Sequence, residues 1–474
     1  MRFVHTQNMW LWQHWTVGTP LELESVYAPF EALFSEETWR EMRKAPKPTS
    51  RAQACALQNL QAFVLGEVLS LGLQQHNLAV ALLENNLTVM YQAKDFPWHE
   101  LGRLLAHEKE AVHRQNLWLY SLQQARPLSE AIHARQQHTT GLLEQLGMDE
   151  ARAIPLFRGA NLEAFSQQLQ ARLEETQTRW CTHVQAMAAQ HNMDKATRAD
   201  LPFFFQAKLP DGNLYFPAQQ QAAVVDATFE KLGLWPTPRL LRLVGKTQAY
   251  PALPLALNGG LEKSHLAFFP VQGPHSLRLL LGEMGRALSW TYVHPNQWAC
   301  RHLGAPVLSN AAALLFSQLV HNKTWLVEQA LPEAVAEAWE RALEAQAEFE
   351  FRKTAAHFLA QQASSALNEE EASKAHVSTQ ARVLCTTPLE AEAARLHVDR
   401  EEFFAMADWL RARLLATQLW EYLSAHFGQT WWKEAQAGAW LKTLWEEGNA
   451  LPAEFLVERA TRPIEASSTP PSSR

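Results

Sequence analysis

Residues 279–290 read "LLLGEMGRALSW". Leu280, Leu281, Met284 and Leu288, with Leu277 one turn earlier, recur at three- and four-residue spacing and predict a helix with a core-facing stripe. Gly273-Pro274 marks its start, since proline fits a first turn, where an N–H has no intrahelical partner. Gly282, Arg286 and Ser289 share a second face with Arg278. A glycine inside a helix costs roughly 1 kcal/mol relative to alanine. A close packing partner is therefore expected at both Gly282 and Gly285.

Upstream, residues 235–274 hold six prolines and short apolar runs at Leu240–Val244, Leu253–Leu257 and Leu266–Phe269. These are strand-length and bounded by turn residues, which predicts a small β-sheet just before the quoted helix. From about residue 20 to 200 the chain is rich in Ala, Leu, Gln and Glu and apolar at helical spacing. Helix is expected again from Ser309 onward, with a polar loop within 364–379. No motif recurs at a fixed period, which argues against a solenoid. The predicted architecture is mostly α, large and two-lobed, with one small central sheet. Its parts are a helical N-terminal lobe (1–234), a core with the sheet and the quoted helix (235–330), a helical C-terminal lobe (331–462) and a disordered tail (463–474).

Composition narrows the function. Of 474 residues, 47% are hydrophobic, enough for a large core, and the net charge of −7 leaves no electrostatic footprint for nucleic acid or anionic lipid. The N-terminal "MRFVHTQNMWLWQHW" has no uninterrupted apolar stretch of leader length. No apolar run approaches the ~20 residues of a membrane span. Cys55, Cys181, Cys300 and Cys385 are scattered and are expected to pack as reduced thiols in a cytoplasmic protein. Eighteen tryptophans either pack between long helices or line an aromatic groove; composition does not choose.

The chemistry lies in Gly282-Glu283-Met284-Gly285-Arg286. This is the zinc-hydrolase pattern H-E-x-x-H with both histidines replaced and the glutamate kept. Histidines four apart on a helix face one metal, and the glutamate takes a proton from metal-bound water. Glycine and arginine do neither. Glu283 and Arg286 are three apart and predict an ion pair. Its guanidinium neutralises a carboxylate that would be costly if buried alone, and repels a divalent cation. His265, His275, His294 and His302 lack the spacing of a helical ligand pair and read as ordinary polar residues. Phosphate-binding loops, nucleophile elbows and clustered Cys/His sites are absent.

"LLLGEMGRALSWTYVHPNQWACRHLGAPVLSNAAALLFSQLVHNKTWL" (279–326) resembles the active-site region of the thimet oligopeptidase and oligoendopeptidase F-like metallopeptidases, and more closely their bacterial relatives. Glu283, Gly285, Ala287, Arg301-His302-Leu303-Gly304, Ala313, Leu315-Phe316 and Trp325-Leu326 carry the likeness, with Gly259-Gly260 as a turn ahead of the helix. Segments 198–220 and 426–448 extend it. The resemblance implies that Gly282 and Arg286 occupy the first two metal-ligand positions. The third falls on Asn310, or on Ser309 or Ala311 with one residue of slippage. It also implies oxyanion donors near 399–422. There the available aromatics are Phe403, Phe404 and Trp409, and no tyrosine lies between Tyr292 and Tyr422.

Four catalytic elements are thus replaced at once. The resemblance implies a catalytically inactive relative without zinc or other cofactor, with Glu283 as a vestigial general base and Arg286 standing electrostatically for the metal. Such a protein would bind an extended peptide along an edge of the sheet, or regulate an active relative. Two alternatives remain open: a peptidase with residual metal-dependent activity, and a purely structural helical scaffold.

Overall fold

The computed structural model describes all residues except 18, 20–22, 210–211, 245–253, 259–262, 295–296 and 462–474. The chain is mostly α-helical. The quoted segment forms a helix from Pro274 to Thr291, hereafter the motif helix. Its apolar stripe is buried, with Leu277, Leu280, Leu281, Met284 and Leu288 at 1% exposure or less. The Val307–Ser317 helix packs along it, and both glycines explain why so closely. A β-carbon at Gly282 would stand 3.1 Å from the Ala313 carbonyl oxygen; one at Gly285 would stand 2.9 Å from that of Ala312 and 2.5 Å from the Phe316 ring. The Val307–Ser317 helix in turn packs on Met406–Phe427. At the start of the motif helix Gly273 has φ 110°, a conformation glycine tolerates, and its N–H bonds the Phe216 carbonyl at 2.8 Å.

Two sheets are present among the described residues. Strands β1 (Thr88–Tyr91) and β2 (Lys94–Pro97) form a hairpin. It lies inside the 20–200 stretch read from sequence as helical, and corrects that reading there. Its two-residue turn is Gln92-Ala93, with φ of 50° and 60°. Positive φ at both positions normally calls for Asn or Gly, so the sequence carries no hairpin signal there.

The second sheet follows the anticipated order. β3 (Leu240–Val244) runs parallel to β5 (Ser264–Phe268), and β4 (Leu255–Leu257) pairs antiparallel on the other side of β5, giving the order β3-β5-β4. Leu253 and the Gly259-Gly260 turn lie outside the described residues. Leu266 and Phe268 of β5 join the motif helix in the largest hydrophobic cluster, alongside Trp325, Trp431, Trp432 and Trp445. Those four tryptophans are packing residues, which settles their share of the groove question. A second cluster gathers Leu162–Gln190, Glu333–Ser364 and the start of Met406–Phe427 around Phe358 and Trp180.

Two further expectations are corrected. The polar run at 364–379 is mostly helix, Glu369–Leu384, after a short break; the Asn368 side chain caps it by accepting from the Glu371 N–H. Glu369, Glu370 and Glu371 in the first turn favour that start through the helix dipole. Cys181 and Cys385 do not pack as separate thiols but form a disulfide, with Cα atoms 5.3 Å apart, while Cys55 and Cys300 are free. Among the described residues, one helix, Arg51–Gly72, is long and apolar enough by length and composition alone to cross a membrane. In this fold it buries Val64, Leu65 and Leu69, the latter two in the cluster of Trp39 and Leu143. Its Glu67 accepts from the Tyr27 hydroxyl at 2.6 Å. The tail at 463–474 lies outside the described residues.

Candidate functional site

The motif helix and the Val307–Ser317 helix bring Gly282, Arg286 and Asn310 together. Arg286 donates through Nε to Glu283 Oε1 at 3.1 Å and through Nη1 to Asn310 Oδ1. The second carboxylate oxygen of Glu283 accepts the backbone N–H of Ala256 in β4 at 3.2 Å. One guanidinium thus bridges two helices, and one carboxylate ties the motif helix to the sheet. The Arg286 and Glu283 side chains are 25% and 21% exposed, so the pair sits partly out of water. Ser289, on the same face, turns its hydroxyl back to the Arg286 carbonyl at 2.7 Å.

Asn310 is the residue that reaches Arg286. Its neighbours are otherwise engaged: Ser309 donates to the Pro306 carbonyl and Ala311 is fully buried. Gly282 faces the Ala313 carbonyl at near-contact distance, so a longer side chain there requires the neighbouring helix to give by a few tenths of an ångström. A divalent cation among these three positions would meet a guanidinium, an α-carbon and an amide oxygen already accepting a hydrogen bond. That donor set does not fit zinc, which takes imidazole, thiolate or carboxylate.

The histidines do not converge on a replacement site. His265 stacks against Trp12 with centroids 4.9 Å apart, and burial first, then the Arg301 charge, lowers its pKa. His275 is lowered mainly by burial, with Arg278 adding to it. His302 stacks on Trp298, and the His294 N–H bonds the Glu446 carbonyl. Among the described residues no group of three His, Cys, Asp or Glu side chains could hold a metal ion.

The aromatics near 399–422 are placed elsewhere. Phe403 packs on Phe157 and Phe404 on Phe358, in two clusters separate from that of the motif helix. Trp409 is packed against the second of these clusters. The aromatics available in that segment therefore pack away from the cluster of the motif helix. Phe403 and Phe404 have φ of 48° and 57°, so the backbone there takes a path that bulky residues rarely adopt. The Tyr292 hydroxyl donates to the Leu234 carbonyl at 2.8 Å, and Tyr422 stacks on Trp440.

Two cavities adjoin this region. One of about 650 Å³ is lined by His275, Arg278 and Gln346 among others. Another of about 700 Å³ is lined by His321, Arg413, Trp180 and Trp420 among others. Neither has Glu283, Arg286 or Asn310 in its wall. The sequence reading missed both cavities and the Ala256 contact. Each is made by elements distant in the chain, and no local spacing signals them.

In three dimensions the chain is similar to a solved structure of PZ peptidase A with inhibitor 2. The TM-score is 0.60 at 12% sequence identity, covering 96% of this chain and 86% of that one. No family model matches the sequence, and no curated protein matches it. At this identity the likeness establishes the fold, a mostly α metallopeptidase-like architecture, in agreement with the resemblance carried by residues 279–326.

Proposed function

We propose that this protein is a catalytically inactive, metallopeptidase-like peptide binder in which Arg286 stands where an active relative holds its metal ion. The observation that carries this reading is the bridge from Glu283 through Arg286 to Asn310. In an H-E-x-x-H hydrolase the glutamate needs a free oxygen for the proton of metal-bound water. Here one oxygen of Glu283 accepts from Arg286 and the other from the Ala256 amide. The carboxylate therefore acts as a structural acceptor, and no oxyanion donor is assigned beside it.

Peptide binding is supported by the fold likeness and by the two cavities, whose volumes suit several residues of an extended chain. It does not proceed simply by strand addition to β4, since an incoming strand would compete with Glu283 for the Ala256 N–H. Zinc is not required for this function, nucleic acid and membrane are not partners, and an active peptidase relative is the alternative partner.

The test has three readouts on protein purified without added metal: zinc content by elemental mass spectrometry, cleavage of internally quenched peptides, and binding of labelled peptides by fluorescence anisotropy. Saturable binding with no cleavage and no stoichiometric zinc is the expected result. Chelator-sensitive cleavage that disappears in Glu283→Gln would establish an enzyme instead.

A further inference from the structure

We propose that Arg413, together with His321, recognises a carboxylate of the bound peptide in the cavity of about 700 Å³ that both line; this rests on the peptide-binding reading above. Arg413 comes from the Met406–Phe427 helix and His321 from the turn Gln318–His321, while Arg278 of the motif helix lines the other cavity, of about 650 Å³. Arg278 and Arg413 act electrostatically on each other and on His321, so the three form one neighbourhood. Arg278 lies eight residues before Arg286 on the same helix, about 12 Å away at 1.5 Å per residue.

The guanidinium of Arg413 makes no hydrogen bond and no ion pair within 4 Å among the described residues. Its closest opposite charges are already engaged. Glu348 is held by Arg352 at 2.6 Å, while Glu350 accepts from Gln346 at 2.8 Å and lies 3.9 Å from Arg278. Burial, and then the Arg278 charge, hold Arg413 below the usual guanidinium range despite both glutamates. A partly desolvated cation with no direct partner is unfavourable, and an anion arriving beside it relieves that cost. His321 supports the same conclusion. Its Nε2 is buried without a hydrogen-bond partner, and burial with the two arginines lowers its pKa to about 3, so the ring is neutral and can offer one N–H.

The chemical class follows from the rest of the wall. The wall of this cavity sets Arg172, Arg179, Arg341 and Arg413 against Glu340, Glu344 and Glu348, so about one positive charge is left over, which matches a single carboxylate rather than a dianionic phosphate. A single carboxylate, matched to a guanidinium fork, is tolerated. Trp180 and Trp420 give apolar surface for the neighbouring side chains of a peptide. The carboxylate is supplied either by the peptide's C-terminus or by an acidic side chain, and the test separates the two.

Three N-terminally labelled peptides of one apolar sequence are compared by fluorescence anisotropy: a free acid, its C-terminal amide, and the amide with one internal glutamate. The wild-type protein is expected to bind a carboxylate-bearing peptide about 10- to 100-fold more tightly than the plain amide, the range of one or two charge-assisted hydrogen bonds. Preference for the free acid assigns the C-terminus; equal gain from internal glutamate assigns a side chain. Arg413→Gln should erase the preference, and Arg413→Lys should restore part of it, with thermal melts showing both variants folded. Equal affinity for all three peptides would overturn the carboxylate site and leave peptide binding standing. Binding of none would overturn both.

Discussion

The Glu283 carboxylate reaches from the motif helix to the Ala256 amide of β4, 3.2 Å away, while its other oxygen holds Arg286. Glu283→Ala should therefore lower stability by about 1–2 kcal/mol, the worth of charge-assisted contacts discounted for a pair about a quarter exposed. Glu283→Gln keeps an acceptor for Ala256 and should lose less. Urea titration of the three proteins gives the ranking. Equal midpoints would mean that the carboxylate ties nothing together.

Placing imidazole and carboxylate donors at residues 282, 286 and 310 tests whether these three positions converge as metal ligands. The triple variant Gly282→His, Arg286→His, Asn310→Glu should bind zinc more tightly than the wild type when titrated calorimetrically. It should also melt at a lower temperature, because residue 282 has the Ala313 carbonyl against it. Cleavage is not expected, since the Phe403 and Phe404 rings pack elsewhere and offer no hydroxyl. No gain in zinc affinity would show that these three positions do not form a ligand set.

Gly285→Ala sets helix propensity against packing. Propensity alone favours alanine by about 1 kcal/mol. The new methyl, however, would meet the Ala312 carbonyl oxygen at 2.9 Å and the Phe316 ring at 2.5 Å. Overpacking of this kind typically costs about 1–3 kcal/mol, so net destabilisation is expected by differential scanning calorimetry. A more stable variant would mean that the two helices part easily.

Acid should destabilise the fold before carboxylates matter. Burial first lowers His321 to about 3 and His397 to about 4 from an ordinary value of 6.5. Below pH 6.5 the unfolded chain takes up protons at these residues that the folded chain does not. Stability therefore falls as pH drops from 6.5 toward 4, by up to about 1.4 kcal/mol per pH unit per histidine. Asp408, raised to about 6 chiefly by burial, works the other way between pH 6 and 4 and partly offsets this. Denaturant midpoints from pH 7 to 4.5 should decline for the wild type and decline less steeply for His397→Gln.

Much of the architecture was legible because it follows from local periodicity. The stripe at Leu277–Leu288, the order sheet-then-helix and the need for a close partner at Gly282 and Gly285 all follow from residue type and spacing. The Glu283–Arg286 pair was legible for the same reason, being three residues apart on one helix. Features made by distant segments were not. Asn310 could not be told from Ser309 or Ala311 until two helices were set side by side. The Ala256 contact uses a backbone amide, which no side-chain pattern announces. The β1–β2 hairpin turns on Gln92-Ala93, residues that favour helix. Phe403 and Phe404 were drawn toward the site by analogy, but a left-handed backbone carries them into other clusters.

The near-touching approach at Gly282 limits what that position can become. With the Ala313 carbonyl oxygen 3.1 Å and the Ser317 side chain 3.5 Å from where a β-carbon would stand, any longer residue at 282 first has to push its neighbour aside by a few tenths of an ångström. Side-chain size, ahead of side-chain chemistry, thus selects which residues this turn of the helix accepts.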